Sequence, residues 1–354
     1  MDERQPLPVR LLPEHRRLRP PSREGNELMD AFAYTRADQP ERAVRLAADP
    51  RARYIAGGTD LLNLMKDGVQ RHDHLIDISA LPLADVRESG GRIRLGALSR
   101  MSDVAVHQAV RRRLPVLSQA LLAGASPQVR NMASLGGNLL QRTRCWYFRD
   151  PTMPCNRREP GSGCPALDGL NRWHAIVGGS DHCIAVHPSD LAVALTALDA
   201  TVRTLSAEGP REIPMAGFYL PPGDTPHLET ALRQGELITG IDVPVTELAA
   251  GSTYLKVRDR ATFEFAVVSV AALVRLRGEE VREARLAFGG IAPRPWRSEA
   301  AEQALIGRPL NAATIEAAGA ALVRDARPRA HNAFKVPLVQ RALSDILGQF
   351  GRNR

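Results

Sequence analysis

All four cysteines of this 354-residue chain, Cys145, Cys155, Cys164 and Cys183, fall in one stretch that cannot hold itself together by burying apolar surface. That stretch carries Pro151, Pro154, Pro160 and Pro165 with several glycines, and it shows neither the helical nor the strand period. It runs for about fifty residues, a length at which an unstructured loop inside a compact domain is uncommon. Residues 140–187 therefore need a staple. Thiolates gathered in one loop ligate a metal ion or an iron–sulfur cluster, or they oxidise to disulfides. The intervals between successive cysteines are nine, eight and eighteen residues, wider than the close pairs of a zinc knuckle. Spacing alone leaves a cluster, a zinc ion and disulfides open.

The remainder of the chain is ordinary enough to fold around a large core, at 44% hydrophobic residues, and long enough for two or three domains. Residues 1–28 hold Pro6, Pro8, Pro13, Pro20 and Pro21 among arginines and acids, which predicts an irregular arm without the apolar segment of a signal peptide. No apolar run approaches the roughly twenty residues that span a bilayer, so no membrane insertion is expected. A net charge of +8 invites a nucleic-acid partner. The arginines behind it are scattered, with no basic run interleaved with aromatics, and no nucleic-acid binding is expected.

From Met29 the pattern is mixed. Strands are predicted at Ala31–Tyr34, Arg53–Ala56, His74–Ile78 and Arg92–Leu95, and helices at Gln39–Ala48, Leu61–Lys66, Arg111–Ala123 and Leu191–Asp199. Beyond Pro244 three successive strands, Ser252–Val257, Ala266–Leu276 and Glu283–Phe288, suggest an antiparallel sheet, followed by helices at Ala312–Val323 and Lys335–Phe350. The domains are accordingly residues 29–245 and 246–354.

Two glycine loops carry the chemistry. Tyr54-Ile55-Ala56-Gly57-Gly58-Thr59-Asp60-Leu61 runs from a strand into a helix, where glycines let backbone N–H groups approach a phosphate and the helix start adds positive potential. Ser134-Leu135-Gly136-Gly137-Asn138 has the same small, hydrogen-bonding character and lies just before the cysteine loop. Neither is a dinucleotide fingerprint or a P-loop. His174 and His182 flank the cysteines and could ligate, whereas His187 reads as a packing residue.

With these loops in this order the chain resembles the FAD-binding medium subunit of the molybdenum hydroxylases, the xanthine dehydrogenase family. The match extends through Ser189-Asp190, Gly235-Glu236-Leu237-Ile238 and Tyr254-Leu255-Lys256, and it covers nearly everything after Met29. Around Cys145, Cys155 and Cys164 the chain is most similar to the FAD subunit of bacterial periplasmic aldehyde oxidoreductase, which carries an additional [4Fe-4S] cluster. The resemblance implies an α+β fold: a two-subdomain α/β FAD-binding domain of the PCMH/VAO type, then a C-terminal domain with a three-stranded antiparallel sheet and helices. It implies FAD and a [4Fe-4S] cluster as cofactors. Residues 54–61 with Ser134, Gly137 and Asn138 would cradle the FAD pyrophosphate, Ser189 and Asp190 would meet the sugar-phosphate portion, and Ile238 and Lys256 would lie near the isoalloxazine. Cys145, Cys155, Cys164 and Cys183 would hold the cluster, and no residue is expected to act as catalytic acid or base. Implied partners are a molybdenum-cofactor large subunit, a small subunit with two [2Fe-2S] clusters and an external electron acceptor. Export to the periplasm with a signal-bearing partner is implied too, with the cytoplasm as the alternative.

Overall fold

The computed structural model describes residues 29–352; the arm 1–28 lies outside the described residues. Three short strands, β1 (Ala33–Arg36), β2 (Ala52–Ile55) and β3 (His74–Asp77), form a parallel sheet in the order β1-β3-β2. Parallel neighbours need crossovers, and the helices Pro40–Leu46 and Leu61–Lys66 lie in the two connections. Ala37, Ala43, Val44 and Ile76 close the core between helix and sheet. Residues 57–60 thus leave the C-terminal edge of a parallel strand, where open α/β sheets receive their ligands.

The second sheet is antiparallel throughout. It comprises β4 (Val86–Ser89), β5 (Arg92–Gly96), β6 (Thr201–Ser206), β7 (Gly209–Pro214) and β8 (Leu237–Pro244), in the order β4-β5-β8-β6-β7. The chain leaves this sheet after β5 and returns only at β6, so the second glycine loop and all four cysteines belong to one long excursion. Helices Pro115–Ala123 and Asp190–Ala197 anchor the excursion, burying Leu117, Leu121, Leu191 and Leu195 against Leu95 and Ile241. The single helix expected over 111–123 is two, Gln108–Arg113 and Pro115–Ala123. Pro115 has no N–H to continue the first helix and starts the second instead, with Leu114 at φ −136° between them. Strands β6, β7 and β8 were not expected from the sequence.

The C-terminal sheet, in the order β12-β11-β10-β9, has the three expected strands β9 (Thr253–Val257), β10 (Val268–Arg277) and β11 (Glu280–Gly289), plus a two-residue edge, β12 (Trp296–Arg297). Both faces of β10 are covered. Ala271 and Leu273 join the core of the preceding domain, while Val270, Ala272 and Val274 meet Val339, Leu343 and Ile346 of the helix Lys335–Arg352. Burial on two sides explains why this strand reads as a nearly continuous apolar run. No helix among the described residues is long and apolar enough to cross a membrane.

Candidate functional site

The first glycine loop is an amide cradle. Among the described residues, the backbone N–H groups of Gly57, Gly58, Thr59 and Asp60 donate to no protein acceptor. Gly58 sits at φ +67°, in the left-handed region that favours glycine. A Cβ on Gly57 would lie 2.0 Å from the Met132 carbonyl oxygen, so this loop is pressed against the approach to the second loop. Successive free N–H groups at a helix start favour an anion.

The second loop differs. Leu135 and Gly136 N–H donate to the Ser99 and Ala97 carbonyls, Asn138 N–H to the Ser134 carbonyl, and Gly137 N–H to Ser134 Oγ, which caps the short helix Leu135–Leu139. It therefore offers close approach rather than free donors. Ser189 Oγ donates to Asn138 Oδ1 at 2.5 Å and also caps Asp190–Ala197, joining the second loop to that helix. Ile238, on β8, packs beneath Gly136.

Asp190 is a buried hub. Its Oδ1 accepts from the Tyr254 hydroxyl at 2.6 Å and its Oδ2 from Lys256 Nζ at 2.8 Å, while Lys256 also donates to the Ala123 carbonyl. Burial, then the neighbouring Asp190 carboxylate, pushes the Tyr254 phenol well above its ordinary value and keeps it a donor. Asp190 and Ser189 line a cavity of about 230 Å³ that also meets Cys145, His174 and the stacked rings of Trp146 and Trp173. Tyr54 lies apart from this cavity; its hydroxyl donates to the Gly235 carbonyl at 2.6 Å.

Cys145, Cys155, Cys164 and Cys183 all line one small space, with Cys155 and Cys183 buried and the other two partly exposed. The four are free thiols, so the disulfide alternative is not formed. Among the described residues no three His, Cys, Asp or Glu side chains stand so as to hold a metal ion. Burial, with Cys183 and Cys155 close by, pushes the Cys145 thiol up to about 12, and the same causes raise Cys164. Thiols held protonated in this way give up their protons to a bound cation.

The loop is also tied from outside. Asp60, at the end of the first glycine loop, accepts from the Arg142 N–H at 2.8 Å and pairs with Arg144 at 2.7 Å and Arg149 at 2.9 Å. His174 Nε2 lies 3.1 Å from Cys145 Sγ; desolvation, then Lys335, lowers its titration to about 4, so the ring is neutral. Lys335, fully buried, donates to the His174 and Gly290 carbonyls, and Asn332 to those of His174 and Ala175. Arg172 and Trp173 reach Asp259 of the C-terminal domain. His187 packs at a tilt against Tyr219 on the wall of the same cavity as Ser189 and Asp190, and burial lowers its titration to about 3.

Residues 56–60, Ser134, Gly137, Asn138 and Ser189 are thus brought together, with Ile238 beneath them and Asp190 and Lys256 alongside. Asp60 as a tie to the cysteine loop, and Arg157 beside Cys155 and Cys183, were not anticipated.

A parallel-sheet subdomain, an antiparallel-sheet subdomain and a C-terminal sheet packed against their core make up an architecture whose class the following matches define. The family model described as "FAD binding domain in molybdopterin dehydrogenase" matches residues 30–246, and "CO dehydrogenase flavoprotein C-terminal domain" matches 253–350. The chain belongs to the FAD-binding medium subunits of the molybdenum hydroxylases, and it is an oxidoreductase subunit. It is 50% identical to "Aldehyde oxidoreductase FAD-binding subunit PaoB" of Escherichia coli (strain K12), over 91% of this chain and 98% of that protein. The glyceraldehyde dehydrogenase medium chain of Sulfolobus acidocaldarius is 30% identical over 79% of this chain and 83% of its own length. Among solved structures, carbon monoxide dehydrogenase from Hydrogenophaga pseudoflava aligns with a TM-score of 0.71 at 26% identity, covering 90% of this chain and 97% of that one.

Proposed function

We propose that this chain is the FAD- and [4Fe-4S]-containing electron-transfer subunit of a heterotrimeric molybdenum-dependent aldehyde oxidoreductase. Electrons from partner [2Fe-2S] clusters would pass through its FAD to an external acceptor. Aldehyde oxidation would occur on a molybdenum-cofactor large subunit, and the complex would reach the periplasm through a signal-bearing partner. The single observation that carries the cluster is the meeting of four free thiols, nine to nineteen positions apart in sequence, around one small space. Four thiols around one space supply the ligand number of such a cluster. The half identity to an aldehyde oxidoreductase subunit supports the substrate class.

FAD supplies the two-electron chemistry when bound, and the chain's own part is placement. The free amides of 57–60 would take the pyrophosphate, with Ser134, Gly137 and Asn138 closing the other side. Ser189 and Asp190 would border the nucleotide, and Ile238 and Lys256 the ring. Anaerobic purification of the complex should give FAD, about four irons and four sulfides in this chain, and aldehyde-dependent reduction of an artificial acceptor. The separated chain should oxidise no aldehyde. Aldehyde turnover by this chain alone, or anaerobic protein without iron and sulfide, would refute the reading.

A further inference from the structure

Arg157 is 7% exposed, and it lines the four-cysteine space beside Cys183 and Cys155. Its guanidinium pairs with Glu229 at 3.0 Å, and Glu229 stands 2.5 Å from Arg142 as well. The cluster of side chains therefore holds two positive charges against one negative. Arg157 Nε is buried and bonds nothing among the described residues. Arg142 Nε is equally idle, but of these two arginines only Arg157 lines the thiol space. Guanidinium cannot discharge by losing its proton, so the charge stays.

We propose that Arg157 is a tuning residue for the group the cysteines hold: it supplies a fixed positive charge and an N–H donor toward that group's sulfur, with Glu229 as the opposing charge behind it. The inference rests on the [4Fe-4S] reading above. Reduction adds one electron, and hence one negative charge, to the cluster with its four thiolates. Net charge and hydrogen bonds to sulfur are among the determinants of such potentials. Arg157 stabilises the reduced form and raises the midpoint; Glu229, which does not line the thiol space, lowers it by less.

The test uses the intact complex, purified without oxygen, assayed for iron and sulfide, and titrated with dithionite while the reduced cluster is followed by electron paramagnetic resonance. Arg157→Gln should keep its iron and shift the reduction equilibrium about tenfold against the reduced form, a midpoint lower by about 59 mV for one electron. Glu229→Gln should shift it the other way by less, and Arg157→Lys should retain most of the native midpoint. Opposite signs at two residues of one ion pair are not what a shared packing role produces. Unmoved midpoints in iron-replete Gln variants, or shifts of the same sign, overturn the inference and leave the cluster standing. Loss of iron from all three variants also overturns it, in favour of a structural pair. Wild-type complex lacking iron and sulfide takes down the cluster reading and this inference together.

Discussion

The glycine loops and the cysteine loop are neighbours built on opposite principles. In the first, side chains are kept away: Gly57 abuts Met132, Gly58 takes a left-handed backbone, and four amides are left open. The regular elements around it, with Ile76 and Leu135 fully buried, hold it in place. In the second, only the helical turns Trp146–Arg149 and Pro165–Leu167 interrupt irregular backbone, and order comes from side chains reaching across. Asp60 gathers three arginines' worth of donors, and Lys335 and Asn332 clasp the carbonyls of 174–175. The expectation that this loop buries no apolar surface is corrected by the structure: Ala166, Ala175 and Ile184 bury together under Tyr147 and Leu167, and Phe148 packs with Cys155 on Leu64 and Val69. A ligand gripped by backbone needs a stiff scaffold and no side chains; a thiol-lined loop is held by small apolar clusters supplemented by polar ties.

The sharpest way to break that contrast is Cys164→Ser. It should remove all cluster iron and open residues 145–183 to protease, while FAD stays near full occupancy; both are read on one sample by metal assay and limited proteolysis. Flavin lost in step with iron would mean the two regions are one. Gly57→Ala tests the converse. A methyl 2.0 Å from the Met132 oxygen must push the loops apart, so FAD occupancy should fall at least tenfold, with iron retained.

Next in size is the pH dependence of the clasp. Burial, then Arg172, lowers the Lys335 ammonium from its ordinary 10.5 to about 7. Between those values the unfolded chain holds a proton that the native chain does not, so stability rises with pH across the window and is flat below it. The displacement converts to roughly 5 kcal/mol over the whole window. Denaturant midpoints from pH 6 to 10 should climb in wild type and stay level in Lys335→Met. The smallest effect is expected for Asp60→Asn, which leaves Arg144 and Arg149 unpaired in a partly exposed site. About 1–2 kcal/mol of local stability should be lost, seen as faster amide exchange over 142–149.

The form of the first glycine loop was legible because it is written in consecutive residues: a strand, two glycines, a helix start. So was β10, whose apolar run announces burial on two faces. The middle sheet was not. Strands β6 and β7 are a short polar hairpin whose partner β8 lies farther along the chain, and Pro210 and Pro214 mask the alternation. The break at Leu114 is marked in the sequence by Pro115. Asp60 looked like a ligand-loop residue; its true partners lie 82 to 89 positions away, and nothing local announces such a pairing. Arg157 looked like one arginine among many, and only the fold sets it against the thiols.

Asp60 has a further consequence, for the order in which the subunit matures. The same carboxylate terminates the open amide cradle and fixes residues 142–149. A ligand that immobilises 57–60 removes part of the entropy that the neighbouring segment must otherwise surrender when it orders around its own cargo. Thermodynamic reciprocity requires the reverse with equal magnitude. Were both sites filled, loading one would ease loading of the other only by the small free energy that one partly exposed carboxylate can transmit, so the half-loaded forms expected of Cys164→Ser and Gly57→Ala stay populated.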